Sequence, residues 1–248
     1  MRLVDAHMHL PEYGDPSAVV RSAQTRSMEL LSCTVNQTQA ALNASLKAQN
    51  PETVHCFLGV HPSDVPAGVA PGPDDLFGEL MRRCDGLGEI GLDPKYSPIG
   101  TESAQMRWFV SQLGAAEKLG KPVQVHSRGS ENECLEILGT FRLRSVMMHW
   151  FEGQEEGAVR DVVSRGYYVS FGPAILYSKK IRRLAERVPQ ERLLTESDGP
   201  VPFKALGGAS GPDVVASVLF GLAELRGRGF AEMGTRVEEN SRAYLAAR

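Results

Sequence analysis

The chain has 248 residues, 42% of them hydrophobic and 23% charged, with a formal net charge of −3. Those proportions belong to ordinary soluble globular proteins, and the mildly acidic balance argues against a protein that coats nucleic acid by charge alone. No apolar stretch approaches the roughly 18 residues that a membrane span needs, and the opening Met-Arg-Leu-Val-Asp lacks a signal-peptide core. The four cysteines, Cys33, Cys56, Cys84 and Cys134, are scattered without a CxxC pair. Free thiols in a reducing, cytoplasmic setting are the expectation.

Taken in order, short apolar runs alternate with longer segments of helical character. The runs cover 3–7, 30–35, 54–60, 87–90, 123–126, 146–149, 167–171 and 193–195. Most are β-branched or aromatic and do not alternate strictly, as expected of strands buried on both faces of a parallel sheet. The clearest helix is 102–119, where Met106, Phe109, Val110, Leu113 and Ala116 recur at three- and four-residue spacing and Gly120 stops the pattern. A second helix is read over 213–225 and a closing one over 238–247, with loops at 62–73 and 207–211. No linker or low-complexity run divides the chain. Eight strand–helix alternations predict a (β/α)₈ barrel as a single domain over 1–248. A doubly wound open sheet is the other candidate, but no GxGxxG turn follows the first strand.

Polar residues interrupt the apolar runs near their C-terminal ends, where barrels carry their chemistry. Asp5-Ala6-His7-Met8-His9 closes the first run, and on an extended chain His7 and His9 point to one side. His61 follows the third run, Glu89 sits in the fourth, His126-Ser127-Arg128 ends the fifth and His149-Trp150-Phe151 the sixth. Glu196-Ser197-Asp198-Gly199-Pro200 follows the eighth. Each has a bland reading. HxH can be two edge histidines, Glu89 a carboxylate held by an arginine, and Asp198 the cap of a turn. Together they do not, because unpaired polar groups in the apolar part of a fold cost a few kcal/mol each and a metal centre removes that cost.

The ordered blocks DAHMHL, GVHP, GEIGLD, PVQVHSR, HWFEG, SFGPA and TESDGP resemble the signature blocks of TatD-type metal-dependent hydrolases, from residue 3 to about 200, with a weaker echo at 240–245. The resemblance implies an amidohydrolase-like barrel and a centre of two divalent ions (Zn²⁺, Mg²⁺ or Mn²⁺). It also implies phosphodiester hydrolysis, typically of DNA trimmed from the 3′ end, with single-stranded ends as the partner. His7, His9 and Asp198 would hold one ion, His126 and His149 the other, and Glu89 would bridge them, a role that suits a carboxylate because it has two oxygens. Asp198 would take a proton from the attacking water. Arg128 and His61 are the groups best placed to hold phosphate oxygens, though Arg128 could equally pair with a barrel carboxylate. Trp150, Phe151 and Tyr96 could stack on a base or simply pack the barrel mouth.

The sequence departs from the family pattern at three places, most seriously after the last block. Ser197 stands where threonine is usual, Pro94-Lys95 where an aromatic is common, and Gly207–Pro212 replaces a usual Arg-Asn-Glu-Pro stretch. A second reading keeps the metals and changes the bond to an ester, an amide or an acyl-nucleic-acid linkage, since fold and ligands do not fix the substrate. A third, a metal-bearing scaffold without activity, has no docking tail to support it.

Overall fold

A computed structural model describes residues 1–66, 72, 76–153, 156–203 and 207–246. Eight strands follow one another around a sheet in sequence order: β1 (Leu3–Met8), β2 (Met28–Cys33), β3 (Val54–Leu58), β4 (Gly86–Gly91), β5 (Val123–His126), β6 (Val146–Met148), β7 (Tyr168–Phe171) and β8 (Leu193–Thr195). All neighbours pair in parallel. The outer layer comprises α1 (Pro16–Thr25), α2 (Ala40–Gln49), α3 (Leu80–Arg83), α4 (Glu102–Leu119), α5 (Glu131–Leu138), α6 (Glu156–Ser164), α7 (Lys179–Arg187), α8 (Val215–Leu225) and α9 (Phe230–Ala246). Every residue of β2 and β4 is buried, as strands covered on both faces should be. The seam between β8 and β1 is stitched at its upper end by Thr195 Oγ1 to Val4 O (2.5 Å), Asp198 N to His7 O (3.0 Å) and His9 N to Gly199 O (2.7 Å). The fold is the (β/α)₈ barrel.

Helix α4 has the expected bounds and ends at Gly120 in the left-handed region, but its buried face is turned slightly from the expected stripe. Val110 is exposed, while Gln105 and Gln112 are buried. Each glutamine fastens a loop above the barrel. Gln105 Oε1 accepts from Asp93 N at 2.8 Å, and Gln112 Oε1 accepts from Val60 N at 2.7 Å. A helix on the outside thus sets the positions of the turns after β3 and β4.

Two other expectations are corrected. The closing helix begins at Phe230, well before residue 238. Gly234, which obscured the apolar pattern, is where the Met1 side chain lies against the helix, and a Cβ there would meet Met1 Sδ at 2.0 Å. Part of the loop read at 207–211 is instead a strand: β9 (Pro202–Phe203) pairs antiparallel with β10 (Gly208–Ala209). In the loop read at 62–73, Pro62–Asp64 form a single 3₁₀ turn, and 67–71 and 73 lie outside the described residues. The four cysteines are free and buried, and among the described residues no helix is long and apolar enough to cross a membrane.

At the opposite end from the polar cluster, buried Glu29 takes Arg2 Nη1 at 2.9 Å and lies 3.6 Å from His55 Nε2. The His55 contact and then Arg2, against the opposing effect of burial, hold its carboxyl below the usual range. A depressed carboxylate stabilises the fold above its unfolded pKa, and that stability is lost as pH falls through the folded value. Glu29→Gln should therefore cost about 2 kcal/mol at neutral pH and flatten the loss of melting temperature below about pH 4.5. An unchanged acid limb in thermal melts would dismiss the pairing as a stabilising contact.

Candidate metal centre

The C-terminal ends of β1, β4, β5, β6 and β8 bring His7, His9, Glu89, His126, His149 and Asp198 into one cluster. Glu89 lies at its middle. Its Oε2 is 3.4 Å from His7 Nε2 and 3.3 Å from His9 Nε2. Its Oε1 faces the other rings, 2.6 Å from His126 Nδ1, 3.0 Å from His149 Nε2 and 3.6 Å from His61 Nε2. Asp198 Oδ1 closes the first group, 3.4 Å from His9 Nε2 and 3.6 Å from His7 Nε2. The His7 and His149 rings stack at 3.7 Å between centroids. Three overlapping sets have donor atoms within 4.8 Å of one another: His7, His9 and Glu89; His7, His149 and Asp198; and His61, Glu89 and His126.

Each of the four expected histidine ligands is anchored through its other nitrogen, which fixes ring orientation and tautomer. His7 Nδ1 donates to Gln124 Oε1 (2.6 Å) and His9 Nδ1 to Cys33 O (3.3 Å). His126 Nε2 meets Asp93 Oδ2 (2.9 Å), and His149 Nδ1 meets Glu196 Oε2 (3.2 Å). Glu196 is itself fixed by Ser170 Oγ (2.5 Å) and Trp150 N (3.0 Å). These outer partners were missed in the sequence, although Gln124 stands two residues before His126 and Glu196 two before Asp198. Gly91 makes room for the Asp93 turn: at φ 150° its Cβ would lie 1.9 Å from His126 O.

The residues fit a divalent ion on two grounds. With its outer nitrogen protonated, the neutral His7 ring turns the lone pair of Nε2 inward, the form in which imidazole binds metal, and His9 aims the same atom at the same carboxylates. His7 Nε2 is moreover buried without a hydrogen-bond partner, a costly state for a polar atom. The second ground is the charge of the carboxylates, which protons on the rings answer when no ion is bound. Burial pushes the His7 ring down, His149 adds to this, and Glu89 opposes it. Burial also resists charge on His9, but Asp198 and Glu89 overcome it and raise that ring to about 10, so a divalent ion bound there would displace a proton from Nε2. Glu89 and Asp198 lie below the carboxylate range despite burial, chiefly through His149. Two ionised carboxylates facing inward need cations.

The remaining expected residues sit around this cluster. His61 is mostly buried, with Nδ1 accepting from Ser63 N at 3.1 Å. Arg128 is exposed at the mouth, its guanidinium 3.8 Å from the centre of the Tyr96 ring and its Nη2 2.7 Å from the Tyr96 hydroxyl. Tyr96 therefore stacks on Arg128, and Phe151, only 2% exposed, belongs to the core. Trp150 lines a cleft of about 260 Å³ beside the cluster, together with His126, His149, Asp198, Arg128 and Phe203.

Relatives match this chain end to end. The chain is 26% identical over 253 residues to YabD of Bacillus subtilis (strain 168), an uncharacterized metal-dependent hydrolase, covering 97% of each. It is 28% identical over 258 residues to YcfH of Escherichia coli (strain K12), described in the same words, covering 97% of this chain and 94% of YcfH. The crystal structure of YJJV, a TatD homolog from E. coli K12, superposes with a TM-score of 0.84 at 26% identity, covering 98% of this chain and 97% of that one. The model of the TatD related DNase family matches residues 4–246. With its cluster of histidines and carboxylates at the top of the barrel, this chain belongs to that family and is a metal-dependent hydrolase.

Proposed function

We propose that the protein hydrolyses phosphodiester bonds with two divalent ions (Zn²⁺, Mg²⁺ or Mn²⁺), trimming single-stranded DNA from the 3′ end. His7, His9 and Asp198 would hold one ion and His126 and His149 the other, with Glu89 shared. The observation that carries this reading is the division of the Glu89 carboxylate, one oxygen toward His7 and His9 and the other toward His126 and His149. When bound, such ions supply hydroxide at neutral pH and neutralise charge on a phosphoryl oxygen. Asp198, ionised and facing the cleft, accepts the proton of the attacking water. His61 donates from Nε2 to a phosphate oxygen. Arg128 leaves the Tyr96 ring to make a charge-assisted bond to another. Without bound cations, a centre framed by Glu89, Asp198, Asp93 and Glu196 would repel a phosphate.

The test is a substrate panel with Mg²⁺, Mn²⁺ or Zn²⁺: single-stranded and duplex DNA with labels at either end, RNA, a phosphomonoester, an acyl ester and acyl-tRNA. Loss of nucleotides from the 3′ end of single-stranded DNA, abolished by chelation, is the expected result. Intact nucleic acids beside a cleaved ester or acyl-tRNA would replace the phosphodiester reading with the other bond.

A further inference from the structure

The cleft beside the centre continues outward along a run of aromatic rings. Trp150, on the turn after β6, and Phe203, on β9, both line it, and their rings meet edge-on with centroids 5.8 Å apart. Phe203 in turn lies 6.0 Å from Tyr177, which is 59% exposed. Three rings from three separate connections thus lead from the cleft wall to the surface, flanked by exposed Leu176 and Val201.

Where the run ends, α7 begins. Ser178, next to Tyr177, caps the helix by accepting from Ile181 N at 3.3 Å. Five of its nine residues are Lys or Arg and one, Glu186, is acidic. Arg182 is committed to Glu224 at 3.1 Å, whereas Lys179, Lys180 and Arg183 are exposed. Lys179 and Arg183, four residues apart, share a face of the helix. Lys180 Nζ lies 3.9 Å from Glu152 Oε2, a residue of the cleft wall, so the head of this basic helix stands against the cleft. A solvated helix face accounts for the cations but not for three rings, two half-buried and one exposed, lined up beside them. In a chain of net charge −3, a local excess of positive charge next to those rings is complementary to a polyanion with flat, unstacked bases.

We infer that the Trp150–Phe203–Tyr177 run and the head of α7 form a track for a single strand of nucleic acid, which holds the nucleotides beyond the scissile bond. Bases lie against the rings and phosphates against Lys179, Lys180 and Arg183. A duplex would not fit this chemistry, because its bases are already stacked on one another. The inference rests on the nucleic-acid reading above and deepens it. It assigns the grip on substrate length to residues outside the metal cluster, one of them (Phe203) paired with Gly208 in the stretch where the sequence departs from the family pattern.

The test is binding of a fluorescein-labelled oligothymidylate of about 12 nucleotides to the metal-loaded protein, followed by anisotropy over about 50 to 200 mM salt, with phosphorothioate linkages that keep the charge and resist cleavage. Single-strand binding loses about 0.7 in the slope of log K against log salt for each phosphate contact removed. Changing Lys179, Lys180 and Arg183 together to alanine should therefore lower the slope by about 2. Tyr177→Ala and Phe203→Leu should each weaken binding about tenfold at fixed salt and leave the slope unchanged. All of these side chains except Phe203 are exposed, and leucine keeps the apolar volume at that site, so circular dichroism should match wild type. Equal affinity and slope in all variants, or no binding by wild type, would overturn the track. Turnover of the same oligomer with ordinary phosphate linkages by the metal-loaded wild type is read separately. Track-dependent binding without turnover would remove the phosphodiester reading and keep the track, whereas turnover with unaffected variants would remove the track alone.

Discussion

Glu89→Ala should leave the protein with almost no bound metal and lower turnover by about 10³-fold or more, since metal ions contribute several kcal/mol of charge stabilisation in hydrolysis. The reason is geometric. Both oxygens of this one carboxylate are engaged, each with a different group of rings. Deleting it removes a ligand from both proposed positions and leaves five histidines without their central counter-charge. His149→Ala should behave differently and empty mainly one position, because His7, His9 and Asp198 remain in mutual reach. Metal content per chain, measured after dialysis, separates the two variants. Glu89→Gln, which keeps the shape and removes the charge, controls for folding. A full metal complement in Glu89→Ala would end the shared-carboxylate assignment.

The second large effect is expected at His61. His61→Ala should retain its metal and melting temperature yet lose about 10²- to 10⁴-fold in turnover. Its Nδ1 accepts from Ser63 N, so the ring proton belongs on Nε2, and Nε2 is 3.6 Å from Glu89 Oε1, too far for a hydrogen bond. Burial pushes the ring down to about 3 although Glu89 opposes this. At neutral pH it is therefore an uncharged donor. That state suits a hydrogen bond to a phosphate oxygen better than protonation of a leaving group. The backbone holds it in place, extended at φ −65° and ψ 147° before Pro62, with Val60 clamped by Gln112. His61→Gln, which retains a donor, should recover part of the loss. Because His61 also falls within donor reach of Glu89 and His126, loss of one ion from His61→Ala would make it a ligand instead, and wild-type turnover would leave it a loop cap.

The barrel was legible because each of the eight apolar runs became a strand. What the runs misjudged were ends governed by buried polar residues. The second strand starts at Met28, not Leu30, because Glu29 is buried against Arg2 and His55 and does not end the strand. The six clustered residues were legible from polar side chains recurring at strand ends, an expensive pattern without a purpose. Their anchors were not. Cys33 contributes a backbone carbonyl, which no side-chain pattern reveals, and Gln124 and Glu196 look like ordinary strand residues until the closed barrel turns them toward His7 and His149. Phe203 drew no reading at all, and Gly208–Ala209 was read as loop, because a ladder of two residue pairs leaves almost no periodicity to detect.

That hairpin has a consequence for how such an enzyme can change. The cluster is built from strands locked into the barrel, whereas β9 and β10 share two paired positions and the chain beyond them is tied back mainly through Ser210, by Ser210 N to Val201 O (2.9 Å) and Ser210 Oγ to Ser197 O (2.6 Å). Insertions and substitutions between Pro202 and Ala209 therefore alter the shape of the cleft wall while the reacting centre keeps its geometry. The protein separates an inherited chemical engine from a tunable recognition edge, so new substrate preferences can arise by drift in a short surface segment without first passing through variants that have lost their metal.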